Sequence, residues 1–314
     1  MHGPGETTDT EPAAAVAGGG IVTDGGTAID DETAIDDGTA TDDAAIVDGE
    51  VIADLHTHTT ASDGTLRIEE VPAAAREAGL DWVAVTDHDR IHPGIDAPVV
   101  ERDGVRIVRG IELRVDAGVE RLDLLGYAVR GTDPLVAEVD RLQADRQERG
   151  ARMLERVEQR LGVTLDLEPR PGIGRPHIAR AIDASSAPYD YDAAFEELIG
   201  DGGPCFVARE VTALDRGIEL LRDACAFVGL AHPFRYRDVD AALDVARRLD
   251  AVERWYPYGR DVDVDLVDRV AASAGLLRTG GSDAHGRALG GAGLTTDTFE
   301  PIRERLPEPD DEQG

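Results

Sequence analysis

Six of the eight histidines fall in short pieces that also carry carboxylates: His56-Thr57-His58 followed by Asp63, Asp87-His88, Glu112, His177, His232, and Asp283-Ala284-His285. Imidazole nitrogens and carboxylate oxygens are what a divalent ion takes from a protein, so pieces gathered from several strand ends point to a multinuclear metal site. The chemistry of such a site is metal-assisted hydrolysis. A lone His-x-His carries little weight, since a histidine near an apolar run is more often a satisfied core or surface residue. Here only His2 and His92 lie outside the set.

Strand ends are the natural way to aim these residues. Val51-Ile52-Ala53-Asp54-Leu55 reads as a strand, and side chains at i and i+2 share a face, so His56 and His58 are expected to point together. The run 276–281 does the same for Asp283 and His285. Apolar runs predict strands at 51–56, 82–87, 105–112, 121–129, 226–232, 251–255 and 276–282. Helical periodicity predicts helices at 67–79, 134–161, 212–225, 238–249 and 263–274. Strands alternating with helices imply a parallel sheet, and ligands at many strand ends favour a barrel with one active rim. No Gly-x-Gly-x-x-Gly follows the first strand, which counts against dinucleotide binding. Between about 130 and 210 the alternation breaks. Asp133-Pro134 opens a long polar helix, then comes Gly172-Ile173-Gly174-Arg175-Pro176-His177, and this insertion is expected to cap the rim. Arg149, Arg152 and Arg156 in that helix read as a solvated, ion-paired face.

The 64 acidic residues face 32 basic ones, all arginine, for a formal charge of −32. Acid-rich, lysine-free chains resemble cytoplasmic proteins of extreme halophiles, whose carboxylate surface stays solvated in concentrated salt. The balance excludes a long duplex nucleic-acid footprint, which needs a basic stripe. Cys205 and Cys225 lack ligand spacing and read as small apolar residues in a reducing compartment. No apolar run of about 18 residues suggests a membrane span, and no targeting segment is apparent, so a cytoplasmic protein is expected. Residues 1–49, with three copies of a Thr-Ala-x-Asp-Asp repeat, lack aromatics and an apolar face, which predicts a disordered acidic tail. The folded domain is expected at 50–301, with a second acidic tail at 302–314.

Taken together, Asp54-Leu55-His56-Thr57-His58, Ser62-Asp63-Gly64, Thr86-Asp87-His88-Asp89, Gly110-Ile111-Glu112, Gly174-Arg175-Pro176-His177-Ile178-Ala179, Ala231-His232-Pro233 and Gly281-Ser282-Asp283-Ala284-His285-Gly286 resemble the polymerase and histidinol phosphatase (PHP) family of phosphoesterases. The likeness is greatest to its branch that dephosphorylates nucleoside 3′,5′-bisphosphates and trims 5′-phosphorylated RNA. The resemblance implies a distorted (β/α)7 TIM-like barrel with an inserted, mainly helical cap, and two to three divalent ions, Mn²⁺ first, with Zn²⁺ or Fe²⁺ as alternatives. It implies that His56, His58, Glu112 and Asp283 hold one ion. Glu112 then bridges to a second ion held by His177 and His232, and Asp63, His88 and His285 hold a third. Glu253 stands where relatives carry an Ile-Glu-Val-Tyr segment. Hydrolysis by hydroxide from a metal-held water would depend on Asp283, His232 and Glu112, with Arg175 and Arg235 as phosphate clamps. The partner would be a small phosphorylated substrate or a short RNA end. Histidinol phosphate or another small phosphate ester, and a non-catalytic metal-stabilised module, are the alternatives.

Overall fold

The computed structural model describes residues 1, 3, 47 and 49–309. The expected disordered tail falls almost wholly outside these residues, as does the end of the C-terminal one. The fold is α/β with two mixed sheets. β1 (Ala53–Thr57), β2 (Trp82–Val85), β3 (Val99–Arg102) and β4 (Val105–Arg109) form the first, in the order β1-β2-β4-β3. β5 (Ile111–Asp116), β6 (Arg121–Tyr127), β7 (Thr212–Ala213), β8 (Phe227–Leu230), β9 (Ala251–Trp255) and β10 (Leu277–Gly280) form the second, in the order β10-β9-β8-β6-β5-β7.

The sheet is therefore not all parallel. β3 runs antiparallel to β4, and β6 runs antiparallel to both β5 and β8. A run of alternating strands and helices carries no sign of direction when a connection is as short as Ala117–Glu120, where Gly118 takes a φ of 84°. The predicted strand 105–112 is in fact two, β4 and β5, divided at Gly110. A Cβ there would lie 2.7 Å from Thr86 Cγ2 and 3.0 Å from the Val85 carbonyl, so the chain passes this close only as glycine. The two sheets meet through this divided strand and through isolated bridges between His88 and Glu112 and between Thr57 and Ala284.

Helices cover the sheets. α1 (Val71–Glu77), α5 (Leu214–Ala224), α6 (Val239–Ala246) and α7 (Val264–Ala274) account for four of the five predicted helices, and α8 (Thr296–Arg303) is an addition. Between β6 and β7 lies a helical insert: α2 (Asp133–Leu161), α3 (Arg175–Asp183), α4 (Tyr191–Ala194) and a π-helical turn at Phe195–Ile199. α2 starts at an extended Thr132 with proline in its first turn and stops at Gly162, whose φ of 68° is left-handed. The insert has its own apolar cluster, including Met153, Leu154, Ile178, Ile182, Phe195 and Leu198.

One carboxylate ties the insert to the sheets. Asp89, directly after His88, is buried with its backbone at a φ of 48°. Its Oδ2 accepts from Arg146 Nη2 (2.7 Å) and Arg209 Nη1 (2.6 Å), and its Oδ1 accepts from the Arg114 amide. Gln143 on α2 donates to the Asp89 carbonyl and accepts from the Gly172 amide, joining the same rim to the segment before α3. Burial alone would raise the Asp89 pKa, but Arg209 and Arg146 hold it well below the usual carboxylate range. Its contribution to stability is therefore present above the unfolded value and lost as pH falls through the folded one. Asp89→Ala leaves both buried guanidiniums without this carboxylate and is expected to cost about 3–5 kcal/mol, measured by urea unfolding at neutral pH. A cost under about 1 kcal/mol would mean the insert is held elsewhere.

Candidate metal centre

The ligand-type residues converge where β1, β2, β8 and β10 end and β5 begins. His56 is the penultimate residue of β1 and His58 lies just past its end, both fully buried. Glu112 is the second residue of β5. His232 and Asp283 stand beyond β8 and β10 rather than within them, at φ values of 27° and 52°. Together with Asp89 these are strained conformations for non-glycine residues, of the kind found where a site over-determines the backbone. Gly281 lets β10 reach β1, since a Cβ there would sit 2.4 Å from His56 Cβ. Asp54 then accepts from the Ser282 amide and hydroxyl and from the Gly290 amide, which pins the loop carrying Asp283 to β1. Asp87 pins the opposite loop by accepting from Thr59 and Ser62, so that Asp63 faces inward.

Three overlapping groups of potential ligand atoms result: His58, Asp63, His88 and His285; His56, His58 and Glu112; and Glu112, Asp123 and His232. Asp283 faces the second group, its Oδ1 3.4 Å from His56 Nε2 and 2.9 Å from His58 Nε2. Glu112 lies centrally, with Oε1 3.4 Å from His56 and 3.1 Å from His232, and Oε2 3.4 Å from His58 and 2.7 Å from His88. Asp63 lies 3.3 Å from His285 and 3.8 Å from His88. Two atoms each about 2.1 Å from one ion stand roughly 3.0–3.5 Å apart, so most of these spacings fit shared ions. His56 Nε2, both nitrogens of His58, Asp63 Oδ1, Glu112 Oε2 and Asp283 Oδ1 are buried without a hydrogen-bond partner. His58 and Asp283 approach to 2.9 Å yet are misaligned for a hydrogen bond. Buried polar atoms facing one another without hydrogen bonds are what an ion between them would satisfy.

The charges agree. Burial would raise the carboxyl pKa values of Asp63, Glu112 and Asp283, but the neighbouring imidazoles hold all three well below the usual range. Burial would lower His56 and His88, yet Asp283, Glu253 and Glu112 lift His56 well above its ordinary value, and Glu112 and Asp63 lift His88 to about 9. Burial and the nearby His285 and His88 push His58 down.

Not every expected residue arrives. His177 is in none of the three groups. Its Nδ1 faces the Gly174 amide at 3.1 Å, and Asp123 takes the place beside Glu112 and His232. α3 nonetheless touches the loop that carries Asp63, because Arg180, one turn after His177, donates to the Asp63 carbonyl. Arg175 is not a phosphate clamp at the rim. It is buried in the insert, paired with Asp201 at 2.8 Å and packed over the Phe195 and Phe206 rings. Arg235 is at the mouth, donating to Tyr256 Oη (2.8 Å) and Asp283 Oδ2 (3.2 Å). Asp283 and His285 do not act as strand neighbours: they lie in a loop and serve different groups. Asp123, Asp54 and Tyr256 were missed. Asp123 was visible as a carboxylate inside an apolar strand, but Arg114 binds it bidentately at 2.7 and 2.6 Å, a pairing that sequence does not announce. A groove of about 600 Å³ lined by Ile91, Ile95, Val139, Gln143 and Pro171 contains none of the nine expected ligands, so ligand chemistry rather than cavity size locates the site.

The PHP-domain family model matches residues 54–192. A phosphoribosyl 1,2-cyclic phosphate 1,2-diphosphodiesterase of Eggerthella lenta is 28% identical over 256 residues, 76% of this chain and 95% of that protein. A 3′,5′-nucleoside bisphosphate phosphatase of Chromobacterium violaceum is 28% identical over 277 residues, 79% of this chain and 93% of that protein. Among solved structures, a metal-dependent phosphoesterase candidate from Bifidobacterium adolescentis matches with a TM-score of 0.70 at 25% identity, over 83% of this chain and 98% of that one. With the motifs in order along the chain and their side chains gathered in one place, residues 54–192 are similar to a PHP domain, and the chain as a whole is similar to phosphoesterases that carry one.

Proposed function

We propose that this protein is a metal-dependent phosphoesterase acting on nucleotides or short 5′-phosphorylated RNA, with a preference for 3′,5′-bisphosphates. The observation that carries the reading is the set of three ligand groups joined through His58 and Glu112. We read the two sheets as a distorted (β/α)7 barrel and the helical insert as its cap. Bound divalent ions, Mn²⁺ in this reading, supply Lewis-acid charge and acidify water at neutral pH. The chain's own part is positional. Asp283, Glu112 and the histidines hold the ions, and Arg235 beside Asp283 takes phosphoryl oxygens through a planar guanidinium. In this reading His177, on α3 of the insert, stays a further ligand candidate that would have to approach from the cap.

A second phosphate needs a cation away from the ions. Arg180 is exposed and reaches the rim, so it takes the role first assigned to Arg175. Remote binding of this kind lowers the barrier by fixing the reacting end. With Mn²⁺, adenosine 3′,5′-bisphosphate is expected to show a kcat/KM at least about 10-fold above that of AMP or histidinol phosphate. Arg180→Ala should erase most of that difference while leaving AMP hydrolysis little changed. Equal values for all three substrates in the native protein would rule the preference out. The Eggerthella relative supports a second reading, a cyclic phosphodiester of a ribosyl group, which is tested by following ring opening of a ribosyl 1,2-cyclic phosphate to its monoester by chromatography.

The described residues contain no helix long and apolar enough to cross a membrane, and the acidic composition fits a cytoplasmic protein of a salt-rich cell in this reading.

A further inference from the structure

Glu253 on β9 is completely buried and touches two ligand-bearing strands at once. Its Oε1 lies 3.1 Å from His56 Nδ1, and its Oε2 accepts from the His232 backbone amide at 2.7 Å. His56 Nε2 faces Glu112 Oε1 and Asp283 Oδ1, 3.4 Å from each. His232 sits at a φ of 27°, so its N–H is aimed by a strained turn that needs an acceptor.

We infer that Glu253 is a positioning residue that sets the His56 tautomer and the His232 turn together, and so makes both competent as ligands. The inference rests on the metal-centre reading above. A proton held on Nδ1 by a carboxylate leaves the Nε2 lone pair facing the other ligands, and the same contact fixes the ring plane. Both carboxylate oxygens are used as acceptors, each for an N–H on a different strand end. That makes an amide a diagnostic substitute. Glutamine is nearly isosteric but offers one acceptor and one donor group. In Glu253→Gln the NH2 must face either the His232 amide, donor against donor, or His56 Nδ1. The latter turns Nδ1 into an acceptor and moves the ring proton to Nε2, away from ligand duty.

The test is a Zn²⁺ titration of metal-free protein against a chromophoric chelator, which counts ions and ranks their affinities. It is read alongside ¹⁵N NMR of the His56 ring in the Zn²⁺-loaded protein and thermal unfolding of the metal-free form. Glu253→Gln is expected to weaken the ion at His56 and Glu112 by about 10–100-fold, leave the ion at Asp63, His88 and His285 near its native affinity, and perturb the His56 Nδ1–H signal. Glu253→Asp, which keeps two acceptors on a shorter arm, should recover part of that affinity. An affinity change under threefold overturns the inference. So does an equal loss at every site with unfolding of the metal-free protein in both variants, which would make Glu253 a general structural residue. Native protein that binds no Zn²⁺ or Mn²⁺ overturns the metal-centre reading itself.

Discussion

Asp283→Ala and His56→Ala are each expected to lower kcat/KM for phosphate release by at least about 10³-fold while the protein stays folded. Asp283 Oδ1 is within 3.4 Å of the ring nitrogens of both His56 and His58, so its loss removes the carboxylate that two imidazoles share. Removing His56 takes away the ring that Glu112 and Glu253 face from opposite sides. Neither residue is part of the four apolar clusters, so no core packing goes with it. Asp283 does occupy left-handed backbone, where alanine is strained by roughly 1–2 kcal/mol, so Asp283→Asn is the companion variant. Asparagine tolerates that conformation and, with its oxygen still receiving the Tyr256 hydroxyl, puts an NH2 in place of the Oδ1 that faces His56 and His58, so it removes the ligand oxygen without straining the backbone. Circular dichroism melting beside steady-state kinetics separates the two effects. Native-like turnover in Asp283→Asn would sink the assignment, and unfolding of all three variants would make the centre structural.

The rim was legible because it depends on residue type and order. Strand ends could be placed from apolar runs, and a carboxylate or histidine just beyond each run was a local signal. What lay beyond reach was pairing across long separations. Glu253 meets His56 across 197 residues, and Asp89 meets Arg209 across 120. Arg175 shows the cost of reading charge without burial. Next to His177 it resembled a clamp, but its position in the first turn of α3 turns it toward Phe195, Phe206 and Asp201. The antiparallel β6 went unseen because an apolar run has no direction, although Gly118 in a short connection was the available hint. Ends of strands were overestimated by two residues at 230 and 280, since the chain leaves the sheet to turn His232 and Asp283 inward.

Metal affinity is expected to climb steeply with pH between about 6 and 9, and more steeply at one end of the centre than at the other. A ligand must shed its proton to bind, so each group still protonated in the metal-free protein weakens apparent affinity about 10-fold per pH unit. Asp63, Glu112 and Asp283 are held low and are already ionised, and His58 is pushed below its ordinary value by burial and by His285 and His88. The protons to be displaced are those of His56, His88 and His285. Burial works against charge on all three, but surrounding carboxylates outweigh it and lift them, His88 to about 9. The ion at His56 and Glu112 displaces one such proton, whereas the ion at Asp63, His88 and His285 displaces two. The slope at the Asp63, His88 and His285 end is therefore the steeper, and His88 by itself contributes about 10-fold per pH unit up to its value of about 9. The sign for stability is consistent: the raised His88 imidazole stabilises the metal-free fold fully below about pH 6.5, and that contribution is lost as pH rises through about 9. Added Mn²⁺ should therefore raise Tm little at pH 6 and much more at pH 8.5. Chelator competition at pH 6.5, 7.5 and 8.5 measures the slopes directly. A pH-independent affinity would show that the histidines are neutral in the metal-free protein and that the carboxylates do not govern them.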